Sequence, residues 1–170
     1  STLINLFNIK DCIINIFDYH VEWNIKELQL FEKQIIGLHF RGSDFCVTKQ
    51  NYPIDHFKII HFKYYYDCLL DIISTNHLTN IEVHIYSHPN DHDIIKFMLY
   101  YLQIKLYSFN ITYKLEKELN TEYDIKLNEY NIIYLLSTYK YIILSNSSMV
   151  LWSGFLASDV SHVYICNSPP

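Results

Sequence analysis

Residues 141–158, YIILSNSSMVLWSGFLAS, change from an apolar run to a polar turn and then to a serine-led apolar segment. A short apolar run bounded by polar residues predicts a buried strand, and serine before the next segment is typical of a helix N-cap. We therefore predict a strand over 141–145 and a helix over 148–157. We expect Trp152 and Phe155 to pack this helix on a sheet.

The same alternation extends along the rest of the chain. We predict further strands at 34–40, 81–87, 104–109 and 162–166, and further helices at 21–33, 63–74, 93–102 and 128–139. Strands that alternate with helices form a parallel sheet with helices on both faces. The sequence therefore predicts an α/β fold of the Rossmann-like kind.

Polar clusters follow three of the predicted strands. HFRGSD (39–44) ends the first strand, SHPND (87–91) ends the second, and SNSS (145–148) ends the fourth. In open α/β sheets, ligands bind outside the carboxyl ends of the strands. We expect the three clusters to meet at one edge of the sheet.

The first cluster holds the chain's only arginine, Arg41. Its planar set of donors suits a phosphate or a carboxylate. Gly42 allows a ligand or another backbone to approach closely, and Asp44 either anchors Arg41 or caps a turn. The alternative is a strand end with a surface salt bridge, and the alternative for His39 is a core histidine.

The third of these clusters opens a helix at Ser147 and Ser148. Serines cap helices, but the same helix N-terminus can also bind an anion through its free N–H groups and dipole. The pairing with Arg41 at the same edge favours a phosphate site.

The second cluster invites a metal interpretation, because three histidines are spaced by four residues: His84, His88 and His92. Pro89 interrupts any continuous helix through them, so they cannot share one helical face. We favour a turn that lines the ligand edge, with Asn90 or Asp91 capping the next helix, and we predict no metal.

Composition excludes several classes of protein. The net charge is -5 and no run of lysine and arginine occurs, which disfavours a general nucleic-acid binder. The chain has no CxxC pair, no Gly-rich dinucleotide motif, no P-loop and no GxSxG elbow. No apolar run is long enough for a membrane span and no signal-peptide pattern opens the chain, so we expect a cytoplasmic location.

The motifs resemble those of one enzyme family. GLHFRGSDF (37–45) is similar to the HxRRGD(Y/F) motif of fucosyltransferases, best known in the α-1,2-fucosyltransferases of glycosyltransferase family 11. LLSTYKYIILSNSSMVLWSGFLA (135–157) resembles a later serine-containing motif of that family. The similarity runs over 35–166. Two departures stand out, because Gly42 occupies the place of the second motif arginine and Ser43 that of the following glycine.

The resemblance implies a GT-B enzyme that transfers fucose from GDP-fucose to a glycan hydroxyl, with inversion and without a metal or other cofactor. Residues 34–170 would form the donor-binding domain, and 1–33 a mostly helical remnant or linker of the acceptor domain. Arg41 and Asp44 would be catalytic. The donor would contact His39, Arg41, Gly42, Ser43, Ser87, Ser147 and Ser148.

Two alternatives remain open at this point. The reduced first motif also fits an inactive module of the same fold that binds a glycan or a protein partner. The other alternative is a Rossmann-like phosphate binder unrelated to sugars. Within the enzyme interpretation, the departures from the family motifs also leave open another nucleotide sugar as the donor.

Overall fold

The computed structural model describes Val21, residues 34–42 and residues 60–166. In this part of the chain, five parallel strands form one sheet with the order β3-β2-β1-β4-β5. The strands are β1 Ile35–Phe40, β2 Ile81–Ser87, β3 Ile111–Leu115, β4 Tyr141–Leu144 and β5 His162–Ile165. The helices are α1 Phe62–Asn76, α2 His92–Lys105, α3 Glu116–Tyr123, α4 Glu129–Ser137 and α5 Ser148–Leu156. The predicted α/β fold with a Rossmann-like parallel sheet is confirmed.

The central strand β1 explains why an apolar run stands where it does. All six of its residues are buried, since β2 pairs with one side, β4 pairs with the other, and helices cover both faces. Strands buried in this way are near-continuous apolar sequences rather than alternating ones. Leu38, for example, lies beside Ile85 of β2 and Ile143 of β4.

Two apolar cores lie on opposite faces of the sheet. Ile36, Leu38 and Phe40 of β1 belong to the core under α1 and α2. Ile35 belongs to the core under α4 and α5. Because successive side chains of a strand point to opposite faces, His39 is on the second face with Ile35. The helices thus wrap both faces, as the alternation predicted.

The predicted third strand, 104–109, was wrong. Helix α2 continues to Lys105, and Leu106 closes it with its N–H bonded to the carbonyl of Leu102. Leu106 is buried and Tyr107 is 86% exposed. This alternation of buried and exposed residues, which resembles that of a strand, comes from the end of a helix and the turn after it. The third strand is β3, Ile111–Leu115, at the edge of the sheet. Its sequence ITYKL contains a lysine and a threonine, which weakens the apolar signal.

The prediction that Trp152 and Phe155 pack α5 on the sheet was also wrong. Trp152 is 46% exposed and Phe155 is 38% exposed, and their rings contact each other. The inner face of α5 is made of smaller residues, with Val150 and Ser153 fully buried. A Cβ on Gly154 would lie 3.2 Å from side-chain atoms of β4 and β5, so the helix approaches the sheet closely. Small residues on the inner face of α5 allow the helix to lie close to the sheet. The rings of Trp152 and Phe155 therefore lie on its outer face.

The helix predicted at 21–33 and the leading segment 1–33 lie outside the described residues, apart from the buried Val21. The boundary of the donor-binding domain therefore stays a prediction. Among the described helices, none has both the length and the hydropathy needed to cross a bilayer. Cys68 is a buried free thiol on α1.

Candidate functional site

The candidate site lies where the strand order reverses direction. From β1, the chain proceeds first to β2 and β3 on one side and then to β4 and β5 on the other. Helices α1 and α5, the described helices that follow β1 and β4, lie on opposite faces of the sheet, and it is at such a switch point that open α/β sheets form a ligand-binding crevice. Arg41 follows β1 directly, and Ser145 to Ser148 follow β4. The order of the strands thus brings two of the three predicted clusters together.

Arg41 and Ser147 are in contact across this crevice. Arg41 Nη1 donates a hydrogen bond to Ser147 Oγ over 3.4 Å, although 106 positions separate the two residues. Ser147 is the N-cap residue of α5, but within the described residues its side chain makes no capping bond to the helix. Its hydroxyl therefore meets the guanidinium, and the backbone N–H groups of the first turn are not capped by that side chain. A guanidinium and a helix N-terminus both favour an anion, and here they are adjacent.

Two buried residues, His39 and Ser145, lie next to this contact and are hydrogen-bonded to each other. His39 Nδ1 and Ser145 Oγ share a hydrogen bond of 2.8 Å, and the Ser147 N–H reaches the same hydroxyl over 3.4 Å. Burial, and secondarily the nearby Arg41 charge, lower the pKa of His39 to about 3. His39 is therefore neutral near pH 7. The ring of His39 is that of a buried core histidine, as the alternative interpretation predicted. Through Ser145 Oγ it is also linked to Ser147, the residue that precedes α5.

A hydrogen bond between Gly42 and Asp91 joins the second cluster to the first. The Gly42 N–H donates to Asp91 Oδ2 over 3.2 Å, and Asp91 is fully buried. Asp91 occupies the N-cap position of α2 but makes no side-chain capping bond within the described residues. The predicted capping role was therefore wrong for Asp91, because its carboxylate turns to Gly42. His88 does the local capping instead, since its Nδ1 accepts from the Asn90 N–H.

Ser87 reaches the same edge of the sheet but has another local partner. It ends β2 beside Phe40 of β1, and its backbone N–H donates to Glu116 Oε1 over 2.7 Å. Burial raises the pKa of Glu116, opposed by the Ser87 N–H and the charge of His88. Sequence reasoning missed Glu116 because the strand before it was missed. The glutamate that directly follows ITYKL was the available signal.

Ser148, the first residue of α5, is exposed at the crevice end of the helix. Ser43 and Asp44 lie outside the described residues, so their roles stay predictions. The described part of the site therefore consists of five of the predicted donor contacts beside or near one crevice, namely His39, Arg41, Gly42, Ser147 and Ser148, with Ser87 one strand away.

The three histidines of the second cluster have separate roles. His84 is buried in β2, with Nδ1 bonded to Tyr139 Oη and Nε2 bonded to Glu82 Oε1, each over 2.6 Å. His88 caps the short 3-10 turn, and His92 begins α2. Among the described residues, no group of three or more potential ligands could hold a metal ion.

The arrangement supplies fixed hydrogen-bond donors and positive potential at one point. Such groups stabilise charge on a bound phosphate without reorganising, which is the property that oxyanion-type catalysis requires. No protein-family model matches the chain, and no curated protein or solved structure matches it either. The functional assignment therefore has to stand on this geometry and on the motif resemblance.

Proposed function

We propose that the chain is the donor-binding part of a glycosyltransferase, and that it transfers fucose from GDP-fucose to a glycan hydroxyl with inversion. The contact between Arg41 and Ser147 at the start of α5 carries this proposal. It supports the resemblance, because the two similar motifs are the segments that this contact joins.

The proposed chemistry follows from the charge that develops on the donor. When the bond between the sugar and the diphosphate breaks, the diphosphate leaves with added negative charge. Arg41 and the N–H groups at the start of α5 would bind that charge, and losing one such donor typically costs about 3–4 kcal/mol of transition-state stabilisation. The acceptor hydroxyl also needs a base. Asp44 is our candidate for that base, on its place in the sequence alone.

Calorimetric titration with GDP, UDP and ADP tests the binding step. We expect GDP to bind best and Arg41→Ala to weaken GDP binding at least about tenfold, as for loss of a charge-assisted hydrogen bond. Lys63→Ala is the matched control, because it removes one positive charge from α1, where Lys63 is paired with Asp67 on the exposed surface. Equal binding of all three nucleotides by wild type and Arg41→Ala would refute the proposal.

Incubation with GDP-fucose tests the catalytic step. Release of GDP, with or without a glycan acceptor, is the expected result. A protein that binds GDP through Arg41 but never cleaves the donor would instead be the inactive module that the shortened motif also fits.

A further inference from the structure

The turn that carries Arg41 is held by a residue from another strand–helix connection. The residue after Arg41 is Gly42, whose N–H donates to the buried carboxylate of Asp91. Asp91 comes from the connection between β2 and α2, so the bond links two loops that are 49 positions apart in the chain. Because Asp91 is fully buried, it contacts the turn and not solvent.

The position of Gly42 is also fixed by packing. A Cβ at Gly42 would lie 2.8 Å from Phe40 Cε1 and 3.2 Å from Ile94 Cδ1. Phe40 has little freedom to move aside, since its ring contacts that of Tyr65 at a centroid distance of 5.7 Å and that of Phe62 at 6.5 Å. No glycine in the described residues has a positive φ, so space rather than backbone conformation requires glycine here.

These two constraints act on the same peptide unit. Packing excludes a side chain at position 42, so this protein has no room for a second arginine directly after Arg41. The hydrogen bond to Asp91 fixes the orientation of the peptide plane that joins Arg41 to Gly42. The direction in which Arg41 leaves the strand depends on that plane.

We propose that Asp91 is a positioning residue for the anion site: its carboxylate oxygen holds the Gly42 N–H and thereby directs Arg41 toward Ser147. This inference rests on the proposed function, since the anion is taken to be the diphosphate of GDP. Asp91 acts through the backbone and does not touch the ligand. Asp91 favours GDP binding as a hydrogen-bond acceptor and not through its charge. A negative charge beside the anion site would by itself oppose the binding of the diphosphate.

A double-mutant cycle with GDP as the probe tests the role. Asp91→Ala should weaken GDP binding about tenfold in the wild-type background, within the range of coupling between interacting residues. In the Arg41→Ala background it should have almost no further effect. Asp91→Asn keeps an acceptor of nearly the same shape, so it should bind GDP within about threefold of wild type.

Asp93→Ala is the control on the same helix, because Asp93 is exposed and pairs with Lys96. If the wild-type protein does not bind GDP, or if Arg41→Ala leaves GDP binding unchanged, the proposed function is contradicted. If wild type binds through Arg41 but Asp91→Ala has equal effects in both backgrounds, Asp91 is merely structural. If Asp91→Asn loses as much affinity as Asp91→Ala, the acceptor role is overturned. Asp91→Asn also provides the test if Asp91→Ala fails to fold.

Discussion

The ring of Tyr139 lies directly over Gly37, so that a Cβ on Gly37 would come within 2.7 Å of Tyr139 Cδ2. Tyr139 follows α4, and Gly37 is in the middle of β1. The missing side chain at Gly37 therefore creates the space in which a large ring packs on the central strand. The hydroxyl of that ring reaches two buried polar groups on the neighbouring strand β2, His84 Nδ1 at 2.6 Å and Tyr86 Oη at 2.5 Å.

Gly37→Ala should destabilise the protein. The added methyl would overlap the Tyr139 ring, and overpacking of this kind costs about 1–3 kcal/mol in the free energy of unfolding. Gly154→Ala is the matched control, because its Cβ would lie 3.2 Å from Leu144 Cδ1 and Val163 Cγ1, a looser contact than the 2.7 Å at Gly37. In a helix, alanine is also favoured over glycine by about 1 kcal/mol. Urea unfolding measures both, and an equal loss in the two variants would contradict the close approach at Gly37.

Tyr139→Phe should also lower stability, by a different mechanism. The ring and its packing remain, but His84 and Tyr86 each lose a buried hydrogen-bond partner, which costs about 1–3 kcal/mol. Tyr164→Phe is the comparison, since its hydroxyl bonds to Asp71 at the exposed surface over 2.6 Å. Exposed substitutions of that kind stay within about 0.5 kcal/mol. Equal unfolding free energies for Tyr139→Phe and wild type would show that the buried hydroxyl is not needed.

His39 predicts how stability changes with pH. Burial, and secondarily the charge of Arg41, lower the pKa of native His39 to about 3, so its ring stays neutral, whereas the unfolded chain takes up a proton near the ordinary histidine pKa of about 6.5. The unfolded state therefore binds more protons between those two pH values, so acid lowers stability by up to about 1.4 kcal/mol per pH unit from this residue.

The variant His39→Asn should lose this part of the pH dependence. Its amide can still bond to Ser145, but it does not titrate. Unfolding free energies measured between about pH 7 and pH 5 should fall more steeply for wild type than for the variant. Contributions from His84 and other groups are common to both proteins and cancel in the difference. Parallel slopes would mean that His39 is not buried as a neutral ring.

Ser147→Ala should separate ligand binding from helix stability. Loss of an N-cap serine usually costs about 1 kcal/mol, but the Ser147 side chain makes no capping bond within the described residues and instead accepts from Arg41. We expect a small change in unfolding free energy and a threefold to tenfold loss, on the order of one hydrogen bond, in GDP affinity. Ser158 lies two residues beyond the end of α5, where its exposed hydroxyl accepts a long bond from the Val160 N–H. Ser158→Ala should leave GDP affinity unchanged and alter the unfolding free energy by no more than about 0.5 kcal/mol. A large loss of stability with unchanged GDP binding would assign Ser147 to the helix alone.

The fold was predictable where the strands are buried on both faces. The runs IIGLHF and YIIL are apolar and continuous or nearly so, and they occur as β1 and β4. The stretch IEVHIYS alternates apolar and polar residues, and it occurs as β2. The edge strand β3 was missed because none of its residues is fully buried, so its sequence need not be apolar. No glycine or proline separates it from α3, and the boundary therefore left no sequence signal.

The site was predictable to the extent that it depends on the strand ends. A lone arginine after β1 and serines after β4 were enough to place Arg41 near Ser147, because parallel strands end at the same edge. The contact of Asp91 with Gly42 was not predictable, since it depends on how one turn packs against Phe40 and Ile94. Glu116 was not predicted as part of the site, because the strand that precedes it was not predicted. Contacts of this kind depend on tertiary packing and have no local pattern in the sequence.

The hydrogen bond between His39 and Ser145 and the one that Arg41 donates to Ser147 each span 106 positions of the chain. During synthesis on a ribosome, the first half of this crevice would emerge long before the second. Contacts of such long range are formed late and slowly in folding. A nascent chain would therefore acquire the crevice only after β4 has inserted beside β1, and a fragment that ends before β4 would lack it altogether.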